Sequence, residues 1–266
     1  MQHLIRLINQ ATFGRYGTNR YLARAAARLE LLMQAGSAQA MYRLAMLHWE
    51  GQGMPQNRVR ALKLLHATAA KGIRNAIYNL AVAYDKGYEV PQSHYRSFQY
   101  YAQAARLGDV DAVHAVGSFY YWGQGVAQHY GKARYWYRRS ARLGHADGMY
   151  DLARCYQRGI GGAKSQRQAI HWFTRAIAAG CAKAKTWLGL EYACAPVEDW
   201  PQARFWLEQA AEDGHAHAMY GLGTWAAEGW HGPTNLADAL FWFQHAADLG
   251  HEKAALRLAE LHGEEF

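Results

Sequence analysis

The sequence is poor in cysteine and proline and has no long apolar run. Its three cysteines, Cys155, Cys181 and Cys194, are odd in number and lack CxxC spacing or a matching partner pattern. That argues against a disulfide framework or a thiolate metal site. They read as small buried hydrophobes, and three free thiols are expected. Five prolines in a chain that is 51% hydrophobic and 14% aromatic put it outside the disordered and low-complexity classes. The stretch Gly214 to Ala227, free of Asp, Glu, Lys and Arg, contains two histidines and three glycines and falls short of the ~20 apolar residues a bilayer-spanning helix needs. Near the start, Arg6 interrupts Leu4-Ile5-Arg6-Leu7-Ile8 where a signal peptide needs an unbroken apolar segment, so a cytoplasmic location is expected. HExxH, GxSxG and P-loop signatures are all missing, so no catalytic residue and no cofactor is assigned.

Charge is plentiful but unevenly placed. The formal net charge is +8, yet residues 1–180 hold 24 Lys and Arg against 8 Asp and Glu, whereas residues 181–266 hold 5 against 13. Such a bipolar distribution bears on encounter with partners and on self-association, and says nothing about the fold.

What the sequence has most clearly is a period. Glycines stand at Gly36, Gly72, Gly108, Gly144, Gly180, Gly214 and Gly250, spaced by 36 residues except for one interval of 34. Four residues after each comes a small residue (Ala40, Ala76, Ala112, Gly148, Ala184, Ala218, Ala254), and four further on an aliphatic one (Leu44, Leu80, Val116, Leu152, Leu188, Leu222, Leu258). Eight before the glycine stand Leu64, Tyr100, Trp136, Trp172, Trp206 and Trp242, which read as core residues stacking neighbouring units. A period of this length signals a stack of supersecondary units.

Within each unit the small residue, the aliphatic residue and a following tyrosine recur at four-residue steps, as in Ala112, Val116 and Tyr120, which places them on one face of a helix A. A glycine-rich break follows, as in Gly51-Gln52-Gly53 and Gly123-Gln124-Gly125, with Pro55, Pro91 and Pro233 preventing read-through. Helix B then carries Ala61, Ala133, Ala169, Ala203 and Ala239, and the periodic glycine falls where a left-handed C-cap is wanted. Three units depart from the pattern. The fifth loop is two residues short, the sixth replaces the loop tyrosine by Ala226, and the second has Tyr88-Glu89 where Gly-x-Gly is expected.

These columns resemble the Sel1-like repeat, a relative of the tetratricopeptide helix pair, most clearly over Ala112–Val126 and Lys132–Gly144. The resemblance implies an all-α, right-handed α-solenoid of antiparallel helix pairs. Six repeats are expected at 37–72, 73–108, 109–144, 145–180, 181–214 and 215–250, between N-terminal capping helices over 1–36 and a C-terminal capping helix over 251–266.

In the tetratricopeptide arrangement the residue two after the small column faces a concave groove. That column is Tyr42, Tyr78, His114, Tyr150, Thr186 and Tyr220; Met46, Asp85, Ser118, Arg154 and Gln157 would line the same groove and vary between repeats. Two readings stay open: the tyrosines contact a partner, or they pack between adjacent A helices. The loop aromatics Trp49, Tyr121, Trp122, Trp200 and Trp230 likewise either form a binding hot spot or tuck under their own turns. His145, His215 and His251 each follow the periodic glycine, so the repeat explains their place, and no metal site is assigned, the close pair His215 and His217 lacking further ligands.

Three functions follow. The resemblance implies a non-catalytic adaptor holding another protein in the groove, and the basic first two thirds suggest that this partner has an acidic surface; Sel1-like proteins include bacterial regulators, secretion-associated factors and immunity proteins against toxins. A nucleic-acid reader is the second reading, from the basic first two thirds and from Arg134, Arg138, Arg139 and Arg142 on one helix, although the charged positions do not recur as a base code would require. The third is an enzyme of the β-lactamase-like kind found among cysteine-rich relatives, whose regular cysteine pair in each repeat is missing here.

Overall fold

The computed structural model describes residues 19–193, 199–230 and 232–262; Cys194 and the first part of the expected N-terminal cap lie outside them. The described residues form fourteen α-helices and no strand. A leading helix α1 (Asn19–Gln34) precedes six A and B pairs: α2 (Ala38–Glu50) with α3 (Arg58–Ala70), α4 (Arg74–Lys86) with α5 (His94–Arg106), α6 (Val110–Trp122) with α7 (Tyr130–Arg142), α8 (Ala146–Arg158) with α9 (Gln166–Ala178), α10 (Ala182–Tyr192) with α11 (Trp200–Glu212), and α12 (Ala216–Glu228) with α13 (Leu236–Asp248). Helix α14 (Glu252–His262) follows. The chain divides into two compact units, residues 1–136 and 137–266, the division falling inside α7.

The glycines set the helix ends. Five of the six paired A helices stop at a left-handed glycine, such as Gly51 at φ 72° and Gly229 at φ 68°, the exception being α10, which ends at Ala193; B helices stop at the periodic glycine, such as Gly72 at φ 77° and Gly250 at φ 81°. Two of the histidines that follow the periodic glycine cap the next A helix: Nδ1 of His145 accepts from the Gly148 amide at 3.0 Å, and Nδ1 of His251 from the Ala254 amide at 3.2 Å. Each A–B loop is closed by one backbone bond, such as Ser93 N–H to the Tyr84 carbonyl at 2.9 Å. The shortened fifth loop keeps it, Asp199 donating to Tyr192 at 2.9 Å. The second loop keeps its shape without the second glycine of Gly-x-Gly: Glu89 is the only non-glycine with positive φ among the described residues, at 56°.

The core forms where the small column of helix A meets helix B. Ala76, Ala112, Ala184, Ala218 and Ala254 have no solvent exposure, nor do Ala61, Ala133, Ala169, Ala203 and Ala239. In the fourth repeat the small residue must be glycine, because a Cβ on Gly148 would run into the Ser140 side chain. The bulky column differs from the expectation. Trp172 is buried as expected, but Trp136, Trp206 and Trp242 are only half-buried, and the deeper residue is the next one along, seven before the periodic glycine: Leu65, Tyr101, Tyr137, Phe173, Leu207 and Phe243. These lie four residues after the helix B small column, on its own stripe, whereas the tryptophans are one position off it.

Candidate protein-docking face

The A-helix column is placed by the same packing that makes the core. In the first unit, Tyr78 sets its ring edge-on to Tyr101 of its own B helix, with centroids 5.5 Å apart, and burial raises the pKa of its hydroxyl. Tyr42 stands one repeat earlier, where Nδ2 of Asn79 donates to its hydroxyl at 3.3 Å and lies 3.2 Å from the Met46 sulfur. In the second unit, Tyr150 meets Phe173 in the same edge-on way, at 5.7 Å, with the Arg154 guanidinium 5.8 Å from its ring centroid. Burial again comes first among the causes that raise its pKa. Tyr220 stacks on His251 at 4.7 Å. Gln157 is half-buried, and Thr186 is buried, its hydroxyl bonded to the Ala182 carbonyl at 3.0 Å and to Nδ1 of His215 at 2.7 Å. Tyr78, Tyr150 and Tyr220 thus pack on rings of their own B helices, and all four tyrosines stay partly open to solvent.

Within the first unit, Asp85, His114, Ser118 and Trp122, the last residue of α6, come together around a hollow of about 380 Å³. Asp85 is already engaged there, its carboxylate 3.2 Å from Nδ1 of His94 and 3.5 Å from the Lys86 ammonium. Met46 and Trp49 line a smaller hollow with Tyr88.

The loop aromatics split into two groups. Trp49 packs edge-on against Tyr88, with Arg58 over its ring, and Trp200 packs edge-on against the buried Trp225. Tyr121 is half-buried between Trp122 and Tyr130. Trp122 and Trp230 present their rings outward, 66% and 54% exposed.

The basic helix is not one solvated face. Arg134 is buried and Arg138 bonds the Tyr156 hydroxyl at 3.2 Å, while Arg142 is exposed. Cys155 and Cys181 are buried thiols outside any disulfide, and burial pushes the Cys181 thiol up to about 11. Among the described residues no group of three or more His, Cys, Asp or Glu side chains could hold a metal ion, and no helix is long and apolar enough to cross a membrane.

One recurrent element went unread in the sequence. Gln56, Gln92 and Gln128 each donate across their loop to a carbonyl seven residues back, of Trp49, Asp85 and Tyr121, at 2.7–2.9 Å. Their 36-residue spacing was the available signal.

Comparison with known proteins agrees with this architecture. The Sel1 repeat model matches residues 38–73, 74–109, 110–145, 146–181, 198–215 and 216–251, the fifth match being short where the loop is shortened. Among solved structures, a Sel1 repeat protein from Oxalobacter formigenes has the same fold, with a TM-score of 0.82 at 22% identity over 92% of this chain and 95% of that one. The protective antigen c5321 of uropathogenic Escherichia coli aligns at 26% identity and a TM-score of 0.74; it covers all of this chain, which spans only 57% of that protein's length. The immunity protein Pa5087 of Pseudomonas aeruginosa aligns at 25% identity and a TM-score of 0.56 over 68% of each chain. A search of curated proteins found no match. Sel1 repeats typically serve as protein-interaction scaffolds. With six matched repeats covering well over half of its length, the chain belongs to the Sel1 repeat family.

Proposed function

We propose that this chain is a non-catalytic adaptor that holds an acidic partner protein on the A-helix face of its repeats. The observation that carries this reading is the half-open aromatic column: Tyr42, Tyr78 and His114 in the first unit, and Tyr150 and Tyr220 in the second, each partly exposed on a frame of buried alanines. A ring fixed on one side by its own core keeps its contact area at little entropic cost on binding. Asp85, Ser118, Arg154 and Gln157 beside the column differ from repeat to repeat, which supports selection of one partner over another. The surplus of Lys and Arg over residues 1–180 favours an acidic partner, chiefly through the association rate.

The likeness to an immunity protein supports a finer reading, in which the partner is a bacterial toxin and docking blocks it. Affinity capture with the full chain, followed by binding kinetics, tests the adaptor reading. Tyr42→Ala with His114→Ala should speed dissociation, at a total cost of about 1–3 kcal/mol, while the melting temperature is kept within a few degrees. Arg106→Gln with Arg142→Gln should instead slow association, an effect that high salt erases. Unchanged kinetics in the first pair would return the column to a purely packing role.

A further inference from the structure

The sixth repeat breaks a pattern that the second and third keep. Tyr84 stacks on Tyr100 with ring centroids 5.6 Å apart and planes 9° apart, under the Arg96 guanidinium 5.5 Å from its centroid. Tyr120 is likewise covered by a cation, the Lys132 ammonium at 5.2 Å, and meets an aromatic ring edge-on, Phe98 of the preceding B helix at 5.4 Å. Counted from the periodic glycine, the sixth repeat has Ala226 in place of these tyrosines. Trp242 stands where Tyr100 does, Arg204 where Phe98 does, and Asp238 where Arg96 and Lys132 do.

The ring is gone, and of its enclosure the aromatic wall remains in Trp242. Arg204, Leu222, Trp225, Ala226, Asp238 and Trp242 line a cavity of about 400 Å³ beneath the loop carrying Pro233 and Thr234. An apolar cavity of about 150 Å³ is large enough to take benzene, so space for a substituted ring is not limiting. The inner wall is apolar, with Leu222 and Trp225 buried, while Asp238 and Thr234 are exposed and mark the opening. Arg204 is held in place by the bond from its Nε to Glu208 at 2.7 Å.

We propose that this cavity is a socket for a phenolic ring, namely a tyrosine side chain presented by a partner polypeptide, which restores the ring that Ala226 omits. The Trp242 indole offers the aromatic wall that Tyr100 gives Tyr84. The change from a ring-covering cation to Asp238 alters what the opening selects: a carboxylate accepts from the phenol O–H, and a phenyl ring offers it nothing. The socket is separate from the A-helix column and does not rest on it.

The test titrates the full chain with N-acetyltyrosinamide, using N-acetylphenylalaninamide as comparator, and follows tryptophan fluorescence and binding heat. Saturable binding is expected, several-fold weaker for the phenyl compound. Asp238→Asn should weaken the tyrosine compound several-fold and leave the phenyl compound unchanged. Ala226→Tyr should fill the socket, abolish binding and raise the melting temperature; if that variant does not fold, Ala226→Leu is the smaller plug for the same measurement. No saturable binding by the natural chain, or binding that a folded plug variant leaves intact, would overturn the proposal.

Discussion

Glu89 tests how strongly a single backbone position is constrained. At φ 56° it occupies the left-handed region that Gly53, Gly125 and Gly161 occupy in neighbouring repeats at 70°, 66° and 71°. That region costs an L-residue about 1–2 kcal/mol, and the return here is an exposed ion pair with Arg58 at 3.7 Å, worth about 0–1 kcal/mol. The backbone term is the larger, so Glu89→Gly should stabilise the fold by about 1 kcal/mol, read as a higher urea midpoint with an unchanged slope. The reverse change, Gly125→Glu, should cost more than the dihedral alone, because a Cβ there collides with the His94 backbone. If Glu89→Gly destabilises, the ion pair outweighs the strain. At this scale the sequence was informative: the missing glycine was visible as a departure, although its geometry was not. The capping of His145 and His251 could not be read, since imidazole is an uncommon N-cap and only the bond to the amide shows its role.

The helix pair is the scale at which the sequence was most legible and its one packing error most instructive. Glycine, alanine and leucine columns locate every pair, because cap geometry and close helix approach each admit few residue types. The bulky column was misread by one position because tryptophan is conspicuous, whereas the deeper column alternates among Leu, Tyr and Phe. Helical spacing identifies the deeper one: Ala133, Tyr137 and Ser140 lie at i, i+4 and i+7 on one stripe, and all are buried. The second repeat allows a comparison within one residue type. Tyr101 is buried against Tyr78 and Phe119, whereas Tyr100 lies half-buried on Tyr84. Tyr101→Ala should therefore cost about 3–5 kcal/mol, the scale of buried aromatic truncations, and Tyr100→Ala distinctly less. Chemical denaturation of the two variants decides it, and the opposite order would place the stripe where the tryptophan column suggested. The docking column was legible in position only. Its residues follow the period, but whether a ring faces a partner depends on what its own B helix leaves uncovered, which no spacing reports.

Across the whole molecule, stability in a repeat array is close to a sum of repeat and nearest-neighbour terms, so small effects at several joints accumulate. Histidines supply such an effect. His48 occupies the loop-tyrosine position of the first repeat, buried, with both ring nitrogens lacking a hydrogen-bond partner; burial first, then the Arg60 charge, lowers its pKa below 6.5. His215 and His217 are lowered as well, first by burial and then by neighbouring imidazoles, His217 in the one case and His251 in the other, with Lys183 and Lys253 adding to it. The sign follows directly. Above pH 6.5 these imidazoles are neutral whether the chain is folded or not, and they favour neither state. As pH falls below 6.5 the unfolded chain takes up protons that the folded one resists, so stability is lost until the lowered folded values are passed. The surplus of positive charge over residues 1–180 adds repulsion of the same sign as carboxylates protonate at lower pH. The melting temperature should thus be lower at pH 5.5 than at pH 7.5, and added salt should relieve the repulsive share while sparing that of buried imidazoles. His48→Phe, which supplies the aromatic ring other repeats carry without a titrating group, should flatten part of the slope. A melting temperature that holds or rises over this interval would show that these histidines titrate alike in the folded and unfolded chain.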